Sequence, residues 1–209
     1  MQNVLNQRIC GRFIDFKTEL KTHFLTKQST LPLSPSLKGL ICIFSKVEIP
    51  GKTRLLKPKM DLALAQQLHQ GIVTHSALKT QEVSAKIAEG IPENHTLALK
   101  GDLGVGKTTF VKGLASYWGI KEAVTSPTFN LLCIYQGKRT LVHLDAYRIV
   151  DPNQIDSLTL EDFLIPPYCL AVEWPENLGE RLPTPHWLLN FTINSDQSHT
   201  VQGSFTDSK

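Results

Sequence analysis

LALKGDLGVGKTTF, residues 97–110, is the stretch on which the fold turns. From Gly101 to Thr108 it reads G-x-x-x-x-G-K-T, the spacing of a phosphate-binding loop (P-loop). Glycines let the backbone turn its N–H groups inward without Cβ collisions, and such a nest of amides holds anions. The helix that starts near Lys107 adds the positive end of its dipole. In this pattern Lys107 reaches the β- and γ-phosphates of a nucleotide, and the Thr108 hydroxyl ligates Mg²⁺. The flanks fit. TLAL is a short apolar strand, and TTFVKGLASYWG puts Phe110, Leu114 and Tyr117 or Trp118 on one helical face. A second GKT, at 51–53, has Lys46 where the first glycine belongs, and it is a decoy.

The 209 residues allow one domain with a full core and a segment to spare. A hydrophobic fraction of 41% with 20% charged residues excludes a disordered or membrane-embedded chain. The most apolar run of the first third, GLICIF at 39–44, falls well short of the ~20 residues a spanning helix needs. The four cysteines, Cys10, Cys42, Cys133 and Cys169, show no metal spacing. Cys133 and Cys169 read as small core residues of a cytoplasmic protein in a reducing compartment, with no membrane partner.

The net charge of +3 hides an asymmetry. Residues 1–60 hold 11 Lys/Arg against 3 Asp/Glu, and the remaining 149 hold 11 against 16. We therefore divide the chain into a basic N-terminal extension, 1–60, and a mildly acidic P-loop ATPase domain, 61–209. A basic arm can touch nucleic acid or a membrane surface, or serve as a targeting peptide. It is otherwise disordered, or an upstream assignment of a start that belongs at Met60.

Beyond residue 60 helices and strands alternate. TQEVSAKIAEGI (80–91) is an amphipathic helix carrying Val83, Ile87 and Ile91, ended by Pro92. NLLCIY and TLVHLDAY are strands joined by QGKR, a linker so short that they form an antiparallel hairpin. PNQIDSLTLEDFL (152–164) reads as helix, CLAV as a buried strand, and HWLLNFTI (186–193) as an edge or late strand. The economical assembly is α/β, a three-layer P-loop NTPase fold around a mixed, mainly parallel sheet.

In such sheets ligands bind beyond the carboxyl ends of the strands, and two acids sit at such ends. Asp145 closes LVHLD and Glu173 closes LAVE. A P-loop ATPase needs an acid near Mg²⁺ and a group that orients the attacking water. Spacing alone does not decide which acid takes which role. The hydroxyls of TSPTF (125–129) could approach the γ-phosphate as a switch does, or form an ordinary turn at Pro127. His143 reads as a satisfied strand histidine rather than a catalytic one. Arg148, in DAYR, suits phosphate recognition.

The order GDLGVGKTTF, SPTF, HLDAYR, VEWPE resembles the TsaE (YjeE) family over about residues 74–195. The resemblance implies a small ATPase, using ATP and Mg²⁺, that is required for threonylcarbamoyladenosine modification of tRNA. It implies binding to the TsaB–TsaD heterodimer, which hydrolysis resets; tRNA is met only through that complex. Carried over, Gly101, Asp102, Leu103, Gly104, Val105, Gly106, Lys107, Thr108 and Thr109 line the nucleotide. Thr108 and Glu173 would ligate Mg²⁺, Asp145 would support hydrolysis, and Thr128 would belong to the switch. Trp174 is part of the signature, and Ser76 and Thr80 match a weaker feature near the base.

Two other classes compete. A P-loop small-molecule kinase would need an arginine-rich lid, yet only Arg139, Arg148 and Arg181 follow residue 108. A non-enzymatic nucleic-acid binder using the basic extension predicts salt-dependent RNA binding that is indifferent to Lys107.

Overall fold

The computed structural model describes residues 60–127 and 130–205. The basic extension up to residue 59 lies outside the described residues, with GLICIF, the second GKT, Cys10 and Cys42. So do Thr128 and Phe129 of the SPTF motif.

In chain order the elements are α1 (Leu62–Gln70), β1 (Ile72–Thr74), α2 (Ala77–Gly90), β2 (His95–Lys100), α3 (Lys107–Tyr117), β3 (Leu132–Tyr135), β4 (Thr140–Asp145), β5 (Tyr168–Glu173), β6 (His186–Ile193) and β7 (His199–Phe205). The strands form one sheet in the order β1-β7-β6-β2-β5-β4-β3. Its centre, β6-β2-β5-β4, is parallel, and β3 and β7 pair antiparallel on either side. The hairpin read from QGKR is β3–β4, with Cys133 opposite His143. Strands β2, β4 and β5 are apolar almost throughout because both faces of a parallel sheet are covered.

One face carries the three α-helices. Phe110, Leu114 and Trp118 of the P-loop helix pack there with Ile87 of α2, Leu97 and Leu99 of β2, and Cys133, Leu141 and Cys169. Burying Phe110 and Leu114 contributes roughly 1.5–3 kcal/mol each. Of the two alternatives read for the helix face, Trp118 is buried and Tyr117 is partly exposed. α2 and α3 approach closely at Gly113, where an added Cβ would lie 2.6 Å from Ser84 Cβ. Ser84 Oγ uses that approach to donate to the Phe110 carbonyl at 2.6 Å. Met60 belongs to this core too: it packs on Gly90, so the folded part includes a residue assigned to the extension.

The other face is covered by short 3-10 turns. Ile155, Leu160 and Leu178 pack there on Val142, Leu144, Leu170 and Val172. Here the expected helix over 152–164 is corrected. The segment is two 3-10 turns, Pro152–Leu158 and Leu160–Phe163, broken at Thr159 with φ 43°. Polar side chains at its start bond locally instead of propagating a helix: Asn153 donates to Asp151, Gln154 accepts from the Val150 amide, and Ser157 Oγ donates to the Gln154 carbonyl at 2.7 Å.

Of the two alternatives for HWLLNFTI, a late strand holds and an edge strand does not. β6 is an interior strand, because β7 and β1 extend the sheet beyond it. Its alternating burial resembles an edge strand only because its two faces are unequally covered. Neither β1 nor β7 stands out in the sequence. HTVQGSF is polar, and its Gly203 is where Leu68 of α1 rests.

Candidate functional site

The P-loop connects β2 to α3 at the carboxyl edge of the sheet. Gly101, Gly104 and Gly106 all have positive φ, at 144°, 78° and 104°. At Gly101 glycine is required twice over, since a Cβ would also lie 2.5 Å from the Phe191 carbonyl oxygen. Val105 buries its side chain in the core, whereas Leu103 at the loop tip is exposed. The loop is also strapped from outside. His199 Nδ1 of β7 donates to the Val105 carbonyl at 2.8 Å.

α1 and α2 are capped by side chains, those of Asp61 and Ser76, but α3 is not. Its cap is Gly106, so no side chain accepts from the first-turn amides. A helix start with free amides beneath a glycine loop suits an anion. Lys107, only 4% exposed, lies at this point. Its ammonium donates to the carbonyls of Gly101 (2.6 Å) and Asp102 (2.8 Å), and lies 4.2 Å from the Trp174 ring centre. Burial lowers the Lys107 pKa from the usual lysine value, against the pull of Glu173, Asp145, Glu176 and Asp102.

Strand parity delivers the acids. His143 and Asp145 of β4 share the helix-covered face with Leu141, and Glu173 of β5 shares it with Cys169 and Ala171. Asp145 and Glu173 are register partners on adjacent strands, and both are buried. Glu173 Oε1 accepts from the Thr108 hydroxyl at 2.7 Å and from His143 Nε2 at 2.9 Å. Burial alone would raise the Glu173 pKa; His143, Thr108 and Lys107 together outweigh it and hold the carboxyl below its ordinary value. Asp145 takes other partners. Its Oδ2 accepts from Ser126 Oγ at 3.2 Å, and its Oδ1 from the Tyr147 amide at 3.1 Å.

The reading of His143 as a satisfied strand histidine needs correction. One ring nitrogen meets Glu173, but Nδ1 is buried with no partner among the described residues. Such an atom costs about 1–3 kcal/mol. The signal was available in the sequence: His143 stands two residues before Asp145 and so shares its face. Nothing comparable announced His199, which is remote in sequence from the loop it straps.

The other expected site residues are placed as follows. Thr109 sits half-buried in the first turn of α3 and Asp102 is exposed in the loop. Thr80 is buried on α2, its hydroxyl 2.8 Å from that of Thr74 and bonded to the Ser76 carbonyl. Ser76 itself caps α2. Trp174 follows Glu173 with a left-handed φ of 57°, and its ring rests beside Tyr147. Arg148 is exposed and has no bond to the site among the described residues. Thr128 lies outside those residues.

A hydroxyl and carboxylates are the hard oxygen donors Mg²⁺ prefers, and Mg²⁺ takes few protein ligands when phosphates supply the rest. Among the described residues no group of three or more His, Cys, Asp or Glu is arranged to hold a metal ion unaided. The donor set therefore fits a metal shared with a nucleotide.

The family model for "Threonylcarbamoyl adenosine biosynthesis protein TsaE" matches residues 74–202, well over half of the chain. The chain belongs to the TsaE family. That is a family of tRNA threonylcarbamoyladenosine biosynthesis proteins. TsaE of Treponema pallidum is 36% identical over 129 residues, covering 62% of this chain and 96% of its own. TsaE of Nostoc sp. is 38% identical over 133 residues, covering 61% and 79%. The crystal structure of Bacillus subtilis YdiB superposes with a TM-score of 0.55 at 27% identity, over 65% of this chain and 85% of that one. The TsaE match begins at Thr74, so α1 and most of β1 precede it. Among the described residues no helix is long and apolar enough to cross a membrane.

Proposed function

We propose that the chain is a Mg²⁺-dependent ATPase acting on the TsaB–TsaD heterodimer during threonylcarbamoyladenosine synthesis, without transferring the group itself. The observation that carries this reading is the convergence of Lys107, Thr108 and Glu173 at the uncapped start of α3. The loop amides from Gly101 to Thr109 and the Lys107 ammonium bind phosphate oxygens. Thr108 and Glu173 hold Mg²⁺. The bound ion would neutralise charge developing on the transferred phosphoryl group. Asp145, anchored by Ser126, orients the attacking water, and Thr128 of the SPTF motif belongs to the switch.

Turnover of the lone chain is expected to be slow, because among the described residues no arginine bonds to the site; Arg148 is exposed and makes no bond there. Arg139 is committed to the far end of the sheet, donating to the Ile91 and Pro92 carbonyls and stacking on Trp118. Arg181 pairs with Asp156 and Asn153. A finger supplied in trans is worth roughly 10³–10⁵ in rate.

The test is ATP hydrolysis by the purified chain with and without TsaB–TsaD, with Lys107→Ala as the blank. Stimulation that the blank lacks supports the reading. A lone chain that turns over many times per second, or one the heterodimer leaves unchanged, overturns it.

A further inference from the structure

We propose that His143 is a positioning residue for Glu173, holding the carboxylate against the first turn of α3 and thereby setting the Mg²⁺ affinity of the site. The proposal rests on the nucleotide reading above and adds a residue to it.

Glu173 ends its strand on a side chain with three rotatable bonds, and fixing such a side chain has an entropic cost. Two donors from two different elements hold it. Thr108 reaches Oε1 from α3 and His143 reaches the same atom from β4. The register explains how the histidine gets there. His143 stands directly opposite Ala171, and Glu173 is the diagonal neighbour. The small alanine lets the imidazole pass over it to the carboxylate.

Stability alone gives no reason for a histidine here. The neighbours Leu141, Val142 and Leu144 are fully buried, as is His143 itself. An apolar residue would fill the position without leaving Nδ1 unpartnered. Among the described residues the only hydrogen bond the His143 side chain makes is to Glu173. The ring supplies one directed N–H to a carboxylate, which is how outer-shell partners orient metal ligands.

The test uses the full-length chain and a fluorescent, non-hydrolysable ATP analogue, with binding followed as Mg²⁺ is titrated and again in chelator. His143→Leu is expected to raise the Mg²⁺ midpoint roughly 10–100-fold while leaving the metal-free affinity within about twofold. His143→Gln, whose amide nitrogen reaches as far from the backbone as imidazole Nε2, should restore most of the wild-type midpoint. If the leucine variant does not fold, His143→Asn decides, since its shorter amide stops before Glu173 and should show the same loss. A folded leucine or asparagine variant with the wild-type midpoint overturns the proposal, as does a glutamine variant no better than leucine. Wild-type chain that fails to bind the analogue overturns the nucleotide reading itself, and one that binds it without any Mg²⁺ dependence overturns the metal set; this inference falls with either.

Discussion

The Thr108 hydroxyl donates to Glu173 Oε1 across 2.7 Å, joining the first turn of α3 to the end of β5. These residues are 65 positions apart, and the sheet order makes them neighbours because β5 lies directly beside β2. The glycine loop and its helix are thereby fixed to the strand end that carries the Glu173 carboxylate.

Thr108→Ala removes one oxygen donor and leaves Glu173 its bond to His143. We expect Mg²⁺-dependent nucleotide binding to weaken roughly 10–150-fold, the equivalent of one charge-assisted hydrogen bond. The melting temperature should fall by a few degrees as well, because the bond joining α3 to β5 is lost. A Mg²⁺ titration of nucleotide binding checks this, and an unchanged midpoint would remove Thr108 from the metal set.

Lys107→Ala should abolish hydrolysis and weaken ATP binding by at least about tenfold, since an ammonium-to-phosphate bond is charge-assisted. Adenosine, which has no phosphate, should bind the variant and the wild type equally. Calorimetry with both ligands separates the two effects.

His95 predicts a pH-dependent stability. Burial, then the charges of His186 and Arg139, lowers its pKa to about 4 in the folded chain. The unfolded chain takes up the proton near 6.5, so its contribution is complete above that pH and is lost as pH falls toward 4. The slope in that window should approach about 1.4 kcal/mol per pH unit. Urea unfolding at several pH values measures it, and His95→Phe should flatten the curve between those limits.

Gly113→Ala sets two effects against each other. Helix propensity favours alanine by roughly 1 kcal/mol. The new methyl would meet Ser84 Cβ at 2.6 Å and the Gln81 backbone, and overpacking of this kind costs about 1–3 kcal/mol. Backbone cannot yield as a side-chain tip can, so destabilisation should win. A melting temperature a few degrees below wild type is expected, and an increase would show that α2 and α3 can separate freely.

Removing residues 1–59 should leave nucleotide binding intact, because the P-loop and both acids lie in the described part and the TsaE match begins at Thr74. Binding of RNA to the two chains at low and high salt then reports on the basic extension alone.

Much of this was legible in one dimension because the signals were local. The glycine spacing, the helix after it, the QGKR hairpin and the acids closing LVHLD and LAVE each follow from a few consecutive residues. The failures share a cause. β7 is polar and takes its place from pairing with β6, while β6 looks like an edge until β7 and β1 are added. The 152–164 segment has apolar residues at helical spacing, but Asn153, Gln154 and Ser157 bond locally at its start and the backbone turns left-handed at Thr159.

By itself the sequence determined that a glycine loop must stand between a buried strand and a helix, with two acids at strand ends. Backbone sterics and period-two burial leave those residues little choice. Only the tertiary structure decided that Glu173, rather than Asp145, meets Thr108, and that His143 stands behind it. Strand order and register settle such pairings, and they are properties of the whole sheet rather than of any one segment.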